Sequence, residues 1–221
     1  MNARSRLFIM VETIHQGVPT MREFPILLLA ALTAFAGAAA AQSPVRVRGN
    51  IISFEGNVLT VKSLRDGKEI KVGVPDNAAV VAAKALTFAD IKPGDFVGPA
   101  SRVRPDGTLE AISVQVFPAS LRGVVPEGHT AWDLEPGAVM TNATVATAVT
   151  AADGRVINVE YPGGSKKVII PEGAPIFTTV PADRSLLVPG AYIVTTARQG
   201  VDGALFTQRI AVSKDGVRPA N

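Results

Sequence analysis

The feature that most constrains this chain is an internal repeat. Short β-branched runs and glycine- or proline-containing turns recur at one offset, 96 positions (167 − 71). The matching segments are 71–75 with 167–171, Pro93-Gly94 with Pro189-Gly190, and Asp106-Gly107 with Asp202-Gly203. Glycine and proline occur where a backbone turns and apolar runs occur where it packs, so this recurrence predicts one structural unit built twice.

The pattern inside each repeat is that of β-strands, as in the alternation of valine and arginine from Val45 to Arg48. In the first repeat we predict strands at 45–54, 58–63, 69–74, 96–104 and 109–117, with a short helix at 78–86. In the second we predict strands at 142–151, 155–161, 166–170, 191–198 and 204–213. The predicted fold class is all-β, with two tandem small five-stranded OB-like barrels joined by an ordered loop. A five-stranded sandwich or roll is the alternative for each unit.

The N-terminal region predicts export from the cytoplasm. Met21-Arg22 precedes an apolar run at 24–38, and the small residues 39–41 suit a signal-peptidase site. We therefore predict a signal peptide over 1–41 with its start at Met21, and a periplasmic or secreted location. A retained membrane anchor is the alternative, but the run is short and contains Pro25. The other predicted boundaries are a first barrel at 42–117, a connecting segment at 118–143, a second barrel at 144–215 and a C-terminal tail at 216–221.

Three short motifs mark the first repeat: residues 57–61 (Asn-Val-Leu-Thr-Val), 92–95 (Lys-Pro-Gly-Asp) and 106–109 (Asp-Gly-Thr-Leu). With them, each repeat resembles a family of short exported bacterial barrel modules classed as a domain of unknown function. The second keeps only Pro189-Gly190 and Asp202-Gly203. These are turn and core residues, so the resemblance implies an OB-like fold and an envelope location and implies no activity.

Charge and composition exclude several classes of function. The formal net charge of the chain is +3, which is too weak to favour a polyanion by itself. The chain has no cysteine, so it lacks disulfides, thiolate metal sites and a cysteine nucleophile. Single-strand nucleic-acid binding by OB barrels uses aromatic residues on strands two and three, and the segment 57–74 has none. We therefore predict no nucleic-acid partner, and no transmembrane span after signal removal.

The residues that least resemble core packing lie in the connecting segment. It contains Trp132, the only tryptophan of the chain, and His129, the only histidine after the signal. A large aromatic side chain in a segment rich in glycine and proline favours an ordered loop with Trp132 buried against one or both barrels. The candidate binding residues are Arg122, Glu127, His129, Trp132 and Asp133.

His129 has three interpretations. In the first, its ring bonds locally to Asp133 or Glu127 and fixes the loop. In the second, His129, Asp133 and Met140 hold copper or zinc, although one histidine without cysteine is a weak ligand set. In the third, His129 is a general base oriented by Asp133, but no nucleophile elbow accompanies it.

These observations favour a non-enzymatic binding or scaffolding protein of the cell envelope, without a cofactor. Its partner would be an envelope protein or a small ligand held between the barrels and the connecting segment. The alternative is a periplasmic metal-binding protein.

Overall fold

A computed structural model describes residues 44–151 and 154–219 of the chain. The predicted signal peptide lies outside these described residues, as do the last two residues of the predicted tail.

The described residues form strands and three short 3₁₀ turns, with no α-helix among them, which confirms the all-β prediction. The strands of the first half are β1 Val45–Glu55, β2 Val58–Ser63, β3 Glu69–Gly73, β4 Ala79–Leu86, β5 Phe96–Val103, β6 Leu109–Val116 and β7 Gly128–Ala131. Those of the second half are β8 Ala138–Ala151, β9 Gly154–Tyr161, β10 Gly164–Ile170, β11 Ile176–Pro181, β12 Tyr192–Gln199, β13 Leu205–Phe206 and β14 Arg209–Val212. The 3₁₀ turns are Phe88–Asp90, Ala119–Leu121 and Arg184–Leu186.

The strands close into two rings. In the first, called barrel 1, the order is β1-β2-β3-β13-β12, and β12 returns to β1. In the second, barrel 2, the order is β8-β9-β10-β6-β5, and β5 returns to β8. Both rings have the same strand order, and in each the third strand pairs in parallel with a strand of the other repeat: β3 with β13 in barrel 1, and β10 with β6 in barrel 2.

The two repeats exchange strands, and this corrects the prediction that each repeat closes its own barrel. Barrel 1 takes its first three strands from the first repeat and its last two from the second, and barrel 2 does the reverse. The exchange is symmetric: Val72 pairs with Leu205, and the equivalent Val168 pairs with Leu109. The predicted boundaries 42–117 and 144–215 therefore follow the repeats of the sequence but not the barrels.

The cause of the exchange is the segment that follows the third strand. We predicted a helix at 78–86, and that prediction is wrong, because the segment is the extended strand β4. An eight-residue strand spans roughly 26 Å, so it carries the chain out of barrel 1 instead of back onto it. Val80 and Ala82 pack in the core of barrel 1, while Leu86, Phe88 and Ile91 pack in that of barrel 2.

Strand β4 pairs with its own equivalent in the second repeat, β11. Ala83 lies opposite Thr179, and these residues are equivalent at the repeat offset (179 − 83 = 96). A pseudo-twofold axis therefore passes through this pair. With β14 beside β4 and β6 beside β11, these strands form a four-stranded central sheet, in the order β14-β4-β11-β6.

Each barrel has its own apolar core, drawn from both repeats. In barrel 1, Val47, Leu59 and Val72 pack with Ile193 and Ile210. In barrel 2, Val97 and Leu109 pack with Ile157, Val159 and Val168. Because each core is completed by the other repeat, neither barrel is closed without both.

Within the described residues, none of the helical segments has the length and apolar character needed to cross a membrane.

Candidate functional site

The connecting segment is part of the sheet rather than a free loop. It contains the 3₁₀ turn Ala119–Leu121, strand β7 and the first residues of β8. Strand β7 pairs antiparallel with β8, from Gly128 opposite Asn142 to Ala131 opposite Val139. The prediction that the segment is ordered agrees with this pairing, and its predicted end at 143 falls inside β8.

Trp132 and Asp133 hold the turn between β7 and β8 against the outer face of β1. The guanidinium carbon of Arg46 lies 3.7 Å from the centroid of the Trp132 ring. One carboxylate oxygen of Asp133 accepts hydrogen bonds from Arg46, at 2.6 Å, and from Arg48, at 3.0 Å. Trp132 is half-buried rather than buried, because a cation stacks on its face in place of an apolar wall.

The electrostatics of this cluster favour the charged form of Asp133. Partial burial by itself would raise the pKa of Asp133, but the hydrogen bonds and charges of Arg48 and Arg46 outweigh it, and the net pKa is lowered. These arginines alternate with the buried Val47 and lie on the outward face of β1. They fix the connecting segment to barrel 1.

His129 makes a local contact, but not with either predicted partner. Its Nδ1 lies 2.8 Å from Oγ1 of Thr141, the residue directly opposite it in the β7–β8 pair. The ring stacks on Tyr161 with 6.2 Å between centroids. Burial, and next the nearby charge of Lys166, lower the pKa of His129. The neutral ring is therefore favoured, and it serves as a packing and hydrogen-bonding group.

The three residues predicted for a metal are not assembled into a site. Asp133 is engaged by two arginines, and Met140 is 2 % exposed within β8. Across residues 44–151 and 154–219, no group of three or more His, Cys, Asp or Glu side chains is placed to hold a metal ion. The same geometry separates His129 from Asp133 as partners, because their hydrogen bonds go to Thr141 and to the arginines respectively.

Arg122 and Glu127 have different surroundings. Arg122 donates to the carbonyl of Gly94 at 2.7 Å and to Oγ1 of Thr144 at 3.0 Å, so it ties the connecting segment to barrel 2. Glu127 is exposed and lines a cavity beside the segment. Of the predicted binding residues, the structure brings Glu127 and Trp132 to that cavity and leaves Arg122 outside its lining.

Two cavities meet along the connecting segment. The first, the connector cavity, has a volume of about 520 Å³ and is lined by Arg46, Glu127, Trp132 and Met140 among others. The second, the central-sheet cavity, has a volume of about 460 Å³ and lies over the face of the central sheet that carries Thr179. Both are lined by Phe117, Val125 and Thr196, so they are adjacent, and the two cavities together are called the groove.

The central-sheet cavity contains polar residues that the sequence reasoning missed. Arg198 and Arg209 line it, together with a set of threonines. Thr195 and Thr207 lie 2.6 Å apart between their Oγ1 atoms. Both are almost fully buried. Their hydroxyls also bond to the Arg209 carbonyl and fix this corner of barrel 1.

A comparison of the two repeats contains the signal that would have found this site. At the repeat offset, Thr207 and Arg209 replace Ala111 and Ser113, and Thr179 replaces Ala83. The larger polar side chains are thus found in the second repeat, and the cavity lining departs from the twofold pseudosymmetry of the fold at this face.

Comparison with protein-family models, with curated proteins and with solved structures found no match for this chain. The resemblance to exported barrel modules therefore stays a prediction.

Proposed function

We propose that this chain is a binding protein of the cell envelope that holds its ligand in the groove without transforming it. The observation that carries the proposal is the junction of the two cavities at Phe117, Val125 and Thr196. Concave sites of this size, with apolar walls and a few polar groups, are typical of small-ligand binding.

The walls of the groove are held by both repeats and by the connecting segment. Val81 and Gln115 come from the first repeat, Thr196 and Arg209 from the second, and Val125 from the connecting segment. Because strand exchange fixes these elements to one another, the groove is pre-formed. Pre-formed sites lose less conformational entropy on binding than mobile ones.

The contacts of the connecting segment beside the groove support binding rather than catalysis. His129 is bonded to Thr141 and stacked on Tyr161, and Asp133 is held by arginines, so these two groups are not arranged as a base and its orienting acid. The envelope location is supported by the apolar run at 24–38 and the small residues 39–41, which lie outside the described residues.

The groove is tested by filling it. The full chain is produced with its leader, purified from the envelope fraction and examined by native mass spectrometry. The variant Thr196→Trp places an indole at the wall shared by both cavities, and Thr150→Trp is the matched control on an exposed part of β8. We expect a bound ligand in the wild type and in T150W and none in T196W. A ligand retained equally by T196W would contradict the proposal.

A further inference from the structure

The central-sheet cavity carries positive charge on two arginines. Arg198 and Arg209 line it, and none of the described residues of its lining is an aspartate or a glutamate. Within residues 44–151 and 154–219, neither arginine forms an ion pair. The lining of this cavity therefore carries positive charge without a carboxylate, and guanidinium groups recognise carboxylates and phosphates through paired N–H donors, so the cavity favours an anion.

The strand positions of both arginines direct them toward this cavity. In β14, Ile210 and Val212 enter the core of barrel 1, and strand alternation therefore directs Arg209 to the opposite face. There its Nη2 donates to Oγ1 of Thr179 across the central sheet, at 3.3 Å. In β12, Ile193 and Ala197 enter the same core, which places Arg198 on the outer face.

The environment of Arg209 is partly dehydrated. The residue as a whole keeps substantial exposed surface, yet burial of its guanidinium side lowers the pKa of Arg209. It stays charged at neutral pH. Removing water from a cation without giving it a negative partner is unfavourable, and a bound anion would restore the lost interaction.

The other residues that line the cavity indicate the chemical character of the rest of the ligand. Phe117 and Phe206 supply aromatic surface beside the arginines. The hydroxyls of Thr195 and Thr207 are engaged with each other and with backbone carbonyls, so they are not free to recognise a sugar. An apolar body with an acidic group fits these walls better than a polyhydroxyl one.

We propose that the groove binds an organic anion, with its carboxylate or phosphate group held by Arg198 and Arg209 and its apolar body against Phe117 and Phe206. This rests on the proposed function, since it names the chemical class of the ligand for the same groove. The first repeat offers no second copy of the site, because Ser113 stands at the position equivalent to Arg209.

Three small probes test the charge requirement: benzoate, phenyl phosphate and benzamide, the neutral isostere of benzoate. Binding to the full chain is followed by Trp132 fluorescence and by amide chemical shifts of groove residues. We expect benzoate or phenyl phosphate to bind at least tenfold more tightly than benzamide, since a hydrogen bond to a charged group contributes roughly that factor or more. The stronger of the two anions identifies the preferred headgroup.

Substitutions of the two arginines test whether the anion binds at these residues. Arg209→Gln and Arg198→Gln are each expected to weaken the preferred anion about tenfold, and Arg209→Lys to weaken it less. Arg104→Gln, on an exposed turn outside the groove, is the matched control and is expected to change nothing. Thermal unfolding of each variant shows whether it is folded. If R209Q does not fold, the test rests on R198Q.

The outcomes separate this inference from the proposed function. Equal binding of benzamide and benzoate, with the same groove resonances shifted and no effect of R209Q or R198Q, overturns the anion inference and leaves a groove that binds neutral ligands. Failure of all three probes to shift groove resonances also overturns the inference, while the T196W comparison decides the proposed function independently.

Discussion

Separating the two repeats should unfold both barrels rather than release two intact domains. Consider a fragment of residues 44–117, which contains the whole first repeat. Barrel 1 would lose β12 and β13, and the neighbouring strand β14 would be lost with them. From its core it would lose the side chains of Leu187, Ile193, Ala197, Ile210 and Val212.

The size of the effect follows from burial. Each of the four larger aliphatic side chains contributes about 1.5 to 3 kcal/mol when buried, so the fragment forfeits roughly 6 to 12 kcal/mol. It also loses the β1–β12 ladder, which extends from Val45 to Asn50. A domain of this kind is stable by only about 5 to 15 kcal/mol, and the monomeric fragment should therefore not fold.

The assay is urea unfolding followed by circular dichroism, with the mass determined by sedimentation. We expect either no cooperative transition or a homodimer. A homodimer is possible because the fragment contains β5 and β6, the equivalents of β12 and β13, and a second copy can supply these strands to the incomplete barrel. Adding residues 118–219 should restore a folded heterodimer. A monomeric 44–117 fragment with a cooperative transition would refute the reasoning.

Two further predictions concern the connecting segment. The pKa of His129 is lowered in the folded chain below the ordinary 6.5. At a pH between the folded and unfolded pKa values, the unfolded chain therefore binds a proton at His129 that the folded chain does not bind. The stability that depends on the neutral ring is therefore present above pH 6.5 and is lost as the pH falls through the folded value. Against H129Q, urea midpoints of the wild type should fall more steeply between about pH 7 and pH 5, and parallel profiles would count against this. Asp133→Asn should lower stability by about 1 kcal/mol or less, since the ion pairs are exposed, and should change Trp132 emission; unchanged emission would mean that Asp133 does not fix the loop.

Local patterns predicted most of the strands. The alternation from Val45 to Arg48 and the turn at Gly56-Asn57, whose two residues have positive φ, define β1 and β2 close to the predicted limits. Such features depend on neighbours in sequence, and short-range sterics and burial determine them. They say nothing about which repeat supplies the partner of a strand.

The error at 78–86 shows why the topology was not predicted. An alanine-rich run containing Val80 and Val81 fits a helix almost as well as a strand, so the sequence of the first repeat alone does not decide. The equivalent run in the second repeat contains Thr178, Thr179 and Val180 between prolines, which favours a strand. Treating equivalent segments as one structure would have predicted β4, and with it a chain that leaves its own barrel.

Sequence composition identified part of the candidate site, but it did not predict which residues contact one another there. Trp132 and Glu127 do line a cavity, because unusual residues in a connection often have a role there. The partner of His129 was wrong because the register of β7 on β8 places Thr141 opposite it. Arg198 and Arg209 were missed because an arginine on the outer face of a strand is ordinarily solvated, and only the pairing of distant strands places these two at one cavity.

Strand exchange is the central claim, and one disulfide tests it directly. The chain has no cysteine of its own. Arg46 in β1 lies opposite Thr196 in β12. Cα atoms of residues so paired are about 4.5 to 5.5 Å apart, within the span of a disulfide. The matched control joins Arg46 to Ala100, the equivalent of Thr196 in the first repeat (196 − 100 = 96), which pairs with Met140 in barrel 2.

Both double variants are oxidised and analysed by non-reducing electrophoresis and peptide mass mapping. We predict that R46C/T196C forms an intramolecular disulfide and that R46C/A100C keeps free thiols. Closure of R46C/A100C with free thiols in R46C/T196C would mean that each repeat forms its own barrel, and it would contradict strand exchange.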